Sequence, residues 1–400
     1  MNRLFALLLP GLLGLTLFPA SSHAQSASPS PAPRPWYERL SLRGYAQFRY
    51  NRLLETNADL TCSQCDRSIG RNGGFFLRRG RLVLSGDVTS RLSVHVQPDY
   101  ASDAAGASHY LQLRDAYFDV FLDARREHRV RLGQSKVPFG FENLQSSQNR
   151  LPLDRSDALN SAVPNERDIG VFYYWATSAA RRTFRVLIDS GLKGSGDYGI
   201  VGVGLMNGQT ANRPEANNSP HVVARVSYPF RLTSGHFVEL GISGYHGRFV
   251  LPSRTPGVSA APEYSDQRLA LAAHWYGQPL GVAAEWTWGE GPEYERSMGS
   301  IEVRRLHGGF VQAMYRWRTR GQVIQPFARA QYYTGGKKLE LDARHHEVHE
   351  FEGGVEWLPT PAFELTAEYA RASRVYDDGG LATPSRQQGG FLRLQAQINY

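Results

Sequence analysis

From residue 40 to its end, the chain alternates apolar and polar side chains with period two, segment after segment, and this pattern limits what it can fold into. The last ten residues, FLRLQAQINY, show it. Leu392, Leu394, Ala396, Ile398 and Tyr400 share one face, and Arg393, Gln395, Gln397 and Asn399 share the other. Such a segment is a β-strand with one apolar and one polar side. It suits a soluble sheet over a core, or a membrane barrel whose apolar side meets lipid and whose polar side meets a wet lumen.

The number and spacing of the segments favour the barrel. Strands are predicted near 40–51, 75–86, 91–101, 109–121, 128–136, 168–176, 184–207, 220–229, 236–248, 266–275, 280–289, 304–318, 324–334, 347–358, 362–371 and 389–400. Sixteen is even, as single-chain outer-membrane barrels require. Every second gap is short: 87–90, 122–127, 177–183, 230–235, 276–279, 319–323 and 359–361. The gaps between them are mostly long, the longest being 52–74 and 137–167. Short turns on one rim and long loops on the other are the asymmetry of bacterial outer-membrane barrels. Both termini then sit on the short-turn rim, in the periplasm. The expected fold is all-β: a 16-stranded antiparallel transmembrane β-barrel with long external loops and short periplasmic turns. Its lipid face carries Leu280, Val282, Ala284, Trp286 and Trp288 on one strand and Phe363, Leu365, Ala367 and Tyr369 on another. Trp and Tyr gather near strand ends, as in an interfacial girdle.

Two segments depart from the pattern. In HYLQLRDAYFDVF (109–121) the apolar parity switches between Leu113 and Ala116, which a bulge near Arg114 reconciles. Segment 184–207 exceeds the ~9–11 residues a tilted strand needs. The crossing is placed at about 198–207, with 184–197 either extending the strand or forming a periplasmic excursion.

Residues 1–24 read as a signal peptide, with a basic start at Arg3, an apolar run from Leu4 to Phe18 and the small-residue pattern Ser22-His23-Ala24. Residues 25–38 form a Pro/Ser-rich linker, and 39–400 the barrel. No later stretch approaches the ~20 apolar residues of a spanning helix. Cys62 and Cys65 form a C-x2-C pair, which serves half a zinc site, a redox motif or, in an oxidising compartment, a local disulfide. With a signal peptide in front and no second Cys pair, a Cys62–Cys65 disulfide is expected.

The net charge is +8, and only four of the 45 basic residues are lysines, Lys136, Lys193, Lys337 and Lys338. An arginine-rich codon preference accounts for such a ratio without any function. The chemical reading is that guanidinium forks suit oxyanions. On the polar parity lie Arg43, Arg49, Arg79, Arg81, Arg129, Arg131, Arg225, Arg268 and Arg329. The inward candidates on 137–167 are Arg150 and Arg155, with Lys136 at the base. Glu is concentrated on later strands, among them Glu285, Glu352, Glu356, Glu364 and Glu368, so basic and acidic walls are expected to face each other. About half of these charges are expected to pair as structural ion pairs. The arginines are spread over many strands and not massed in one patch, which disfavours nucleic acid as a partner. RHHEVHE (344–350) lacks the H-E-x-x-H spacing of a zinc protease, and no nucleophile, base and orienter stand out, so neither metal, cofactor nor catalysis is expected.

VRLGQSKVPFGFENLQSS (130–147), DRS (154–156) and ERDIGV (166–171) resemble the phosphate-selective porin O/P family. FFLRRGRLVLSG (75–86), LRDAYFDV (113–120) and LALAAHWYGQPLGVAAEW (269–286) extend the likeness over most of the chain. The resemblance implies a sixteen-stranded barrel, typically a homotrimer, set in outer-membrane lipid and lipopolysaccharide. It implies passage of small anions such as phosphate or polyphosphate, with the third external loop, here 137–167, folded inward as a constriction. Strict phosphate members carry a constriction lysine, where this chain has Gln148-Asn149 after Ser146-Ser147. Anion preference is therefore expected without a tight phosphate site. The alternatives are a non-selective general diffusion porin and, from another class, an outer-membrane hydrolase or surface receptor on a barrel scaffold.

Overall fold

The alternating segments pair antiparallel with their neighbours, and the last pairs with the first. The computed structural model describes residues 35–54, 60, 73–101 and 110–400. The strands are β1 (Leu40–Leu53), β2 (Gly73–Asp87), β3 (Leu92–Ala101), β4 (Tyr110–Phe121), β5 (His128–Lys136), β6 (Arg167–Trp175), β7 (Val201–Met206), β8 (His221–Arg231) and β9 (Phe237–Phe249). The second half comprises β10 (Tyr264–Trp275), β11 (Leu280–Glu295), β12 (Ser300–Tyr315), β13 (Trp317–Thr319), β14 (Gln322–Gly336), β15 (His345–Thr360), β16 (Phe363–Asp377) and β17 (Ser385–Asn399). β12 and β13 both pair with β14 and are two parts of one stave interrupted at Arg316, so the barrel has sixteen staves. Closure runs from Tyr45 opposite Asn399 to Leu53 opposite Phe391. A closed ladder leaves no strand edge unpaired, as a hydrocarbon surround demands.

Which parity faces out is visible in exposure. Leu280, Val282 and Trp288 are exposed, whereas Ala283, Glu285 and Thr287 between them are buried. On β17, Leu394 and Ile398 are exposed, and Arg393, Gln395 and Gln397 are buried. The interior is therefore polar, which excludes two sheets stacked over a greasy core. Among the described residues no helix is long and apolar enough to cross a membrane.

Among the register shifts of the described strands, two re-aim an arginine. On β4, Asp115 pairs with Gln97 and Leu113 with Pro98, leaving Arg114 as the extra residue, where the phase switch placed it. On β2, Arg79 pairs with Gln47 and Leu77 with Phe48, leaving Arg78 extra. The extra residue breaks strict alternation, so Arg78 and Arg79 both face inward, as do Arg114 and Asp115.

The reading of 184–207 as one strand needs correction. Ser178–Asp189 is a helix, α2, and only Val201–Met206 is strand. Thr177 accepts a hydrogen bond from the Ala180 backbone N–H at 3.3 Å and caps the helix. Ala180, Phe184 and Leu187, four and three residues apart, form its buried face. The expected short turn at 177–183 is thus a long excursion from Ala176 to Ile200, which breaks the strict alternation of connection lengths. The expected long gap at 290–303 shrinks to 296–299, because β11 and β12 run further than predicted.

Between β5 and β6, residues 137–166 lie inside the barrel and include the buried helix α1 (Asp157–Ala162). The signal peptide, all but the last residues of the linker, and the Cys62–Cys65 pair lie outside the described residues.

Candidate functional site

Six arginines, Arg78, Arg79, Arg81, Arg114, Arg150 and Arg155, surround a narrow cavity of about 60 Å³ between the β2–β4 wall and the inward loop. Three carboxylates share its lining, Asp99, Asp154 and Glu166, so the ring carries three net positive charges. Sequence reasoning found Arg79, Arg81, Arg150 and Arg155 but missed Arg78 and Arg114. Both omissions are bulge residues, whose inward aim follows from skipped register and not from parity. The phase switch on β4 was a signal for Arg114; β2 offered none as clear.

Glu166 is the hub of the ring. Arg114, Arg150 and Arg155 approach it at 3.1, 3.0 and 3.4 Å, and Arg167 makes a fourth, closer contact. Burial pushes its carboxyl up, but Arg167, Lys136, Arg155 and Arg150 outweigh that and hold it well below the usual carboxylate range. Arg49 and Arg78 clasp Asp154, which is held low in the same way, by Arg49 first, against the effect of burial.

Arg81 also lines a wider cavity of about 700 Å³ that includes Arg43, Arg129, Arg131, Lys136, Gln148 and Asn149. The two cavities therefore adjoin at Arg81. Arg81 pairs with Asp99 at 3.1 Å and donates to the Tyr45 hydroxyl at 2.7 Å. Arg131 grips Asp119 at 2.8 Å and lies 3.7 Å over the Tyr117 ring.

Pairing is more extensive than the expected half. Of the twelve predicted cations, nine are ion-paired: Arg49, Arg81, Arg129, Arg131, Arg150, Arg155, Arg225, Arg268 and Arg329. Arg79 has one side-chain hydrogen bond, to Gln47 Oε1 at 3.1 Å. Arg43 is exposed in the wider cavity. Lys136 donates to the carbonyls of Asn143, Leu144 and Gln145 at 2.8, 3.2 and 2.6 Å, so it braces the loop. Arg49, Arg225, Arg268 and Arg329 face inward but line neither cavity; Arg329 instead reaches the loop's Glu142 at 2.7 Å.

The acidic far wall does not stand open opposite the arginines, because it holds the inward segments. Glu285 accepts from the Phe141 and Glu142 backbone N–H groups at 2.8 and 3.0 Å, and Glu368 from Leu153 N–H at 2.9 Å. Glu356 pairs with Lys193 on the excursion after α2 at 2.6 Å. His345, His346 and His349 each face a separate glutamate, Glu293, Glu340 and Glu347. Among the described residues no group of three or more ligating side chains gathers as a metal site.

The model of the family described as phosphate-selective porin O and P matches residues 54–400. Among solved structures, the outer membrane channel DcaP of Acinetobacter baumannii is similar at a TM-score of 0.57 and 13% identity, covering 90% of this chain and 97% of that one. An anion-selective porin from Comamonas acidovorans gives 0.54 and 11%, covering 90% and 99%. The trimer form of OmpT from Vibrio cholerae gives 0.53 and 9%, again covering 90% and 99%. No curated protein matches the sequence.

Proposed function

The chain belongs to the phosphate-selective porin O and P family, and from that premise we propose that the arginine-lined cavity is the constriction of an anion-preferring diffusion channel. Family and fold are those of outer-membrane channels and not of enzymes. The observation that carries the selectivity is the ring of six guanidiniums against three carboxylates at the narrow passage.

The mechanism follows from that charge balance. A net positive, low-dielectric constriction raises the local anion concentration and the rate of entry. Planar guanidinium forks replace part of the hydration of a phosphate or carboxylate. Glu166 and Asp99 offset some of the field, so an anion entering is not held too tightly to leave. The anion then passes Arg81 into the wider cavity. Gln148 and Asn149, which line that cavity, add no charge there, consistent with preference among anions and not a tight phosphate site. The short-turn rim and both termini face the periplasm in this reading, and three copies assemble as a homotrimer in lipid and lipopolysaccharide.

Reversal potential under a salt gradient, measured on the purified protein in planar bilayers, tests the proposal. Arg79→Gln is expected to lower the anion/cation permeability ratio about twofold or more, by removing one of three net charges from a desolvated ring. An unchanged reversal potential rejects the path past Arg79. Ester or peptide cleavage without step-like conductance rejects the channel itself.

A further inference from the structure

α2 presents three faces. Ala180, Phe184 and Leu187 are buried, and Leu187 packs in a cluster with Phe141 of the inward loop, Leu192, Phe237 and Tyr276. Arg185, Ile188 and Asp189 look into the 700 Å³ cavity already described. The third face, Ala179, Arg182, Thr183, Val186 and Ser190, lines a different cleft of about 920 Å³.

The far side of that cleft is built by Arg231, Phe237, the Gly277–Pro279 turn, Arg316 and Arg318. Four arginines line it and no carboxylate does. Elsewhere in the lumen nine of the twelve predicted cations have a counter-ion. Arg316 and Arg318 both donate to the Ser190 carbonyl, at 2.8 and 3.2 Å, and Arg316 Nε is buried without a partner. Arg231 lies 5.8 Å over the Phe237 ring, and Arg182 is exposed. Like charges around one hollow repel until an anion enters. Val186, 46% exposed, together with Leu192 and Phe237 leaves apolar surface between the guanidiniums. A hollow of this size with an apolar lining and a few charged groups suits a small organic ligand.

We propose that this cleft binds a soluble amphiphilic anion, its carboxylate or phosphate head among Arg182, Arg316 and Arg318 and its apolar body against Val186 and Phe237. The ligand comes from water and not from the bilayer. Arg231 and Arg316 lie on the same parity as the buried, inward Arg225 and Met314, so the cleft opens on the lumen side of the wall. α2 stands between the cleft and the wider cavity, which sets the site beside the anion path. The proposal needs only the cleft and is independent of channel selectivity.

The test uses the full chain in phosphatidylcholine nanodiscs, titrated with dansyl-labelled undecanoate and with its uncharged methyl ester, empty nanodiscs being subtracted. The acid is expected to saturate and to bind about tenfold tighter than the ester, as loss of a charge-assisted contact implies. Arg182→Glu should weaken the acid by at least that factor and Val186→Asp should weaken both probes, while single-channel conductance stays at the wild-type value in each. Among the described residues Arg182 makes no hydrogen bond or ion pair and is exposed, so this variant reads the site alone. Equal binding of acid and ester, or of wild type and Arg182→Glu, overturns the site. Displacement of the probe by phosphatidylglycerol built into the disc overturns its assignment to a soluble ligand. Reversal potential reports on the anion path separately, so the two readings fail independently.

Discussion

Arg79 and Arg81 lie two residues apart on one face of β2, yet they carry different consequences. Arg81 has a buried counter-ion in Asp99, and among the described residues Arg79 hydrogen-bonds only the neutral Gln47 amide. Arg81→Gln therefore strands Asp99, which typically costs about 3–5 kcal/mol. Arg79→Gln strands no charge and relieves repulsion from its two arginine neighbours. Urea unfolding in detergent should show a large loss for Arg81→Gln, substantial recovery in Arg81→Gln with Asp99→Asn, and little loss for Arg79→Gln. Equal losses for the two single variants contradict this division. At this scale the sequence was partly legible. Period-two parity placed Arg79 and Arg81 inward, but it could not add Arg78, because a bulge inserts a residue without changing composition. Nor could parity tell which arginines have counter-ions, since Asp154 and Glu166 arrive from a loop far along the chain.

Among the elements, the inward loop is the one whose length the strand spacing exposed and whose inward fold the family resemblance implied, while its anchoring stayed concealed. Lys136 resembled a free constriction cation, but its ammonium stitches three successive carbonyls of the loop. Lys136→Met leaves those carbonyls without their donor, each at a cost of about 1–3 kcal/mol if it stays dry. The expected outcome is a looser loop and a larger, noisier single-channel current, with a quiet wild-type trace as the contrary result. The loop's tie to the far wall has a defined pH range. Burial pushes the Asp157 carboxyl up, but Arg374 and Lys337 outweigh it and hold it below the usual range. A carboxyl depressed in the folded state adds stability that is complete above its unfolded pKa of about 3.9 and is lost as pH falls through the lower folded value. The Asp157 tie should therefore be unchanged from pH 8 to pH 5, and the part of the acid-induced current noise that Asp157→Asn removes should appear only in strong acid. Onset near pH 6 would point to a different group. α2 shows why another element was misread. Phe184, Val186 and Ile188 alternate as a strand would, while Ala180, Phe184 and Leu187 repeat as a helix does. Both periods are present, and burial of the second selects the helix. Thr177 before it and Gly191 after it were the stop signals that discriminate.

For the whole molecule, closure and the excursion from Ala176 to Ile200 are separable. β6 and β7 pair with Trp175 opposite Val201, and Ile200 N–H donates to the Trp175 carbonyl at 2.7 Å. The two chain ends are thus already neighbours in the ladder, at the spacing a tight hairpin joins. Replacing residues 177–199 by Asn-Gly should leave the sixteen-stave ladder intact, because the first-to-last pairing from Tyr45–Asn399 to Leu53–Phe391 does not involve the excised segment. It should also remove Lys193 from Glu356 and Leu187 from the cluster around Phe141, opening the short-turn mouth. The ring formed by Arg78, Arg79, Arg81, Arg114, Arg150 and Arg155 contains no residue of that segment. Conductance is therefore expected to rise while the anion/cation permeability ratio stays near wild type, since bore at the mouth and charge at the constriction are set by different parts of the chain. If selectivity falls along with the gain in conductance, then the excursion shapes the field as well as the opening, and the constriction is not confined to the arginine ring. If neither changes, the current bypasses that mouth, and the path through the wider cavity is wrong.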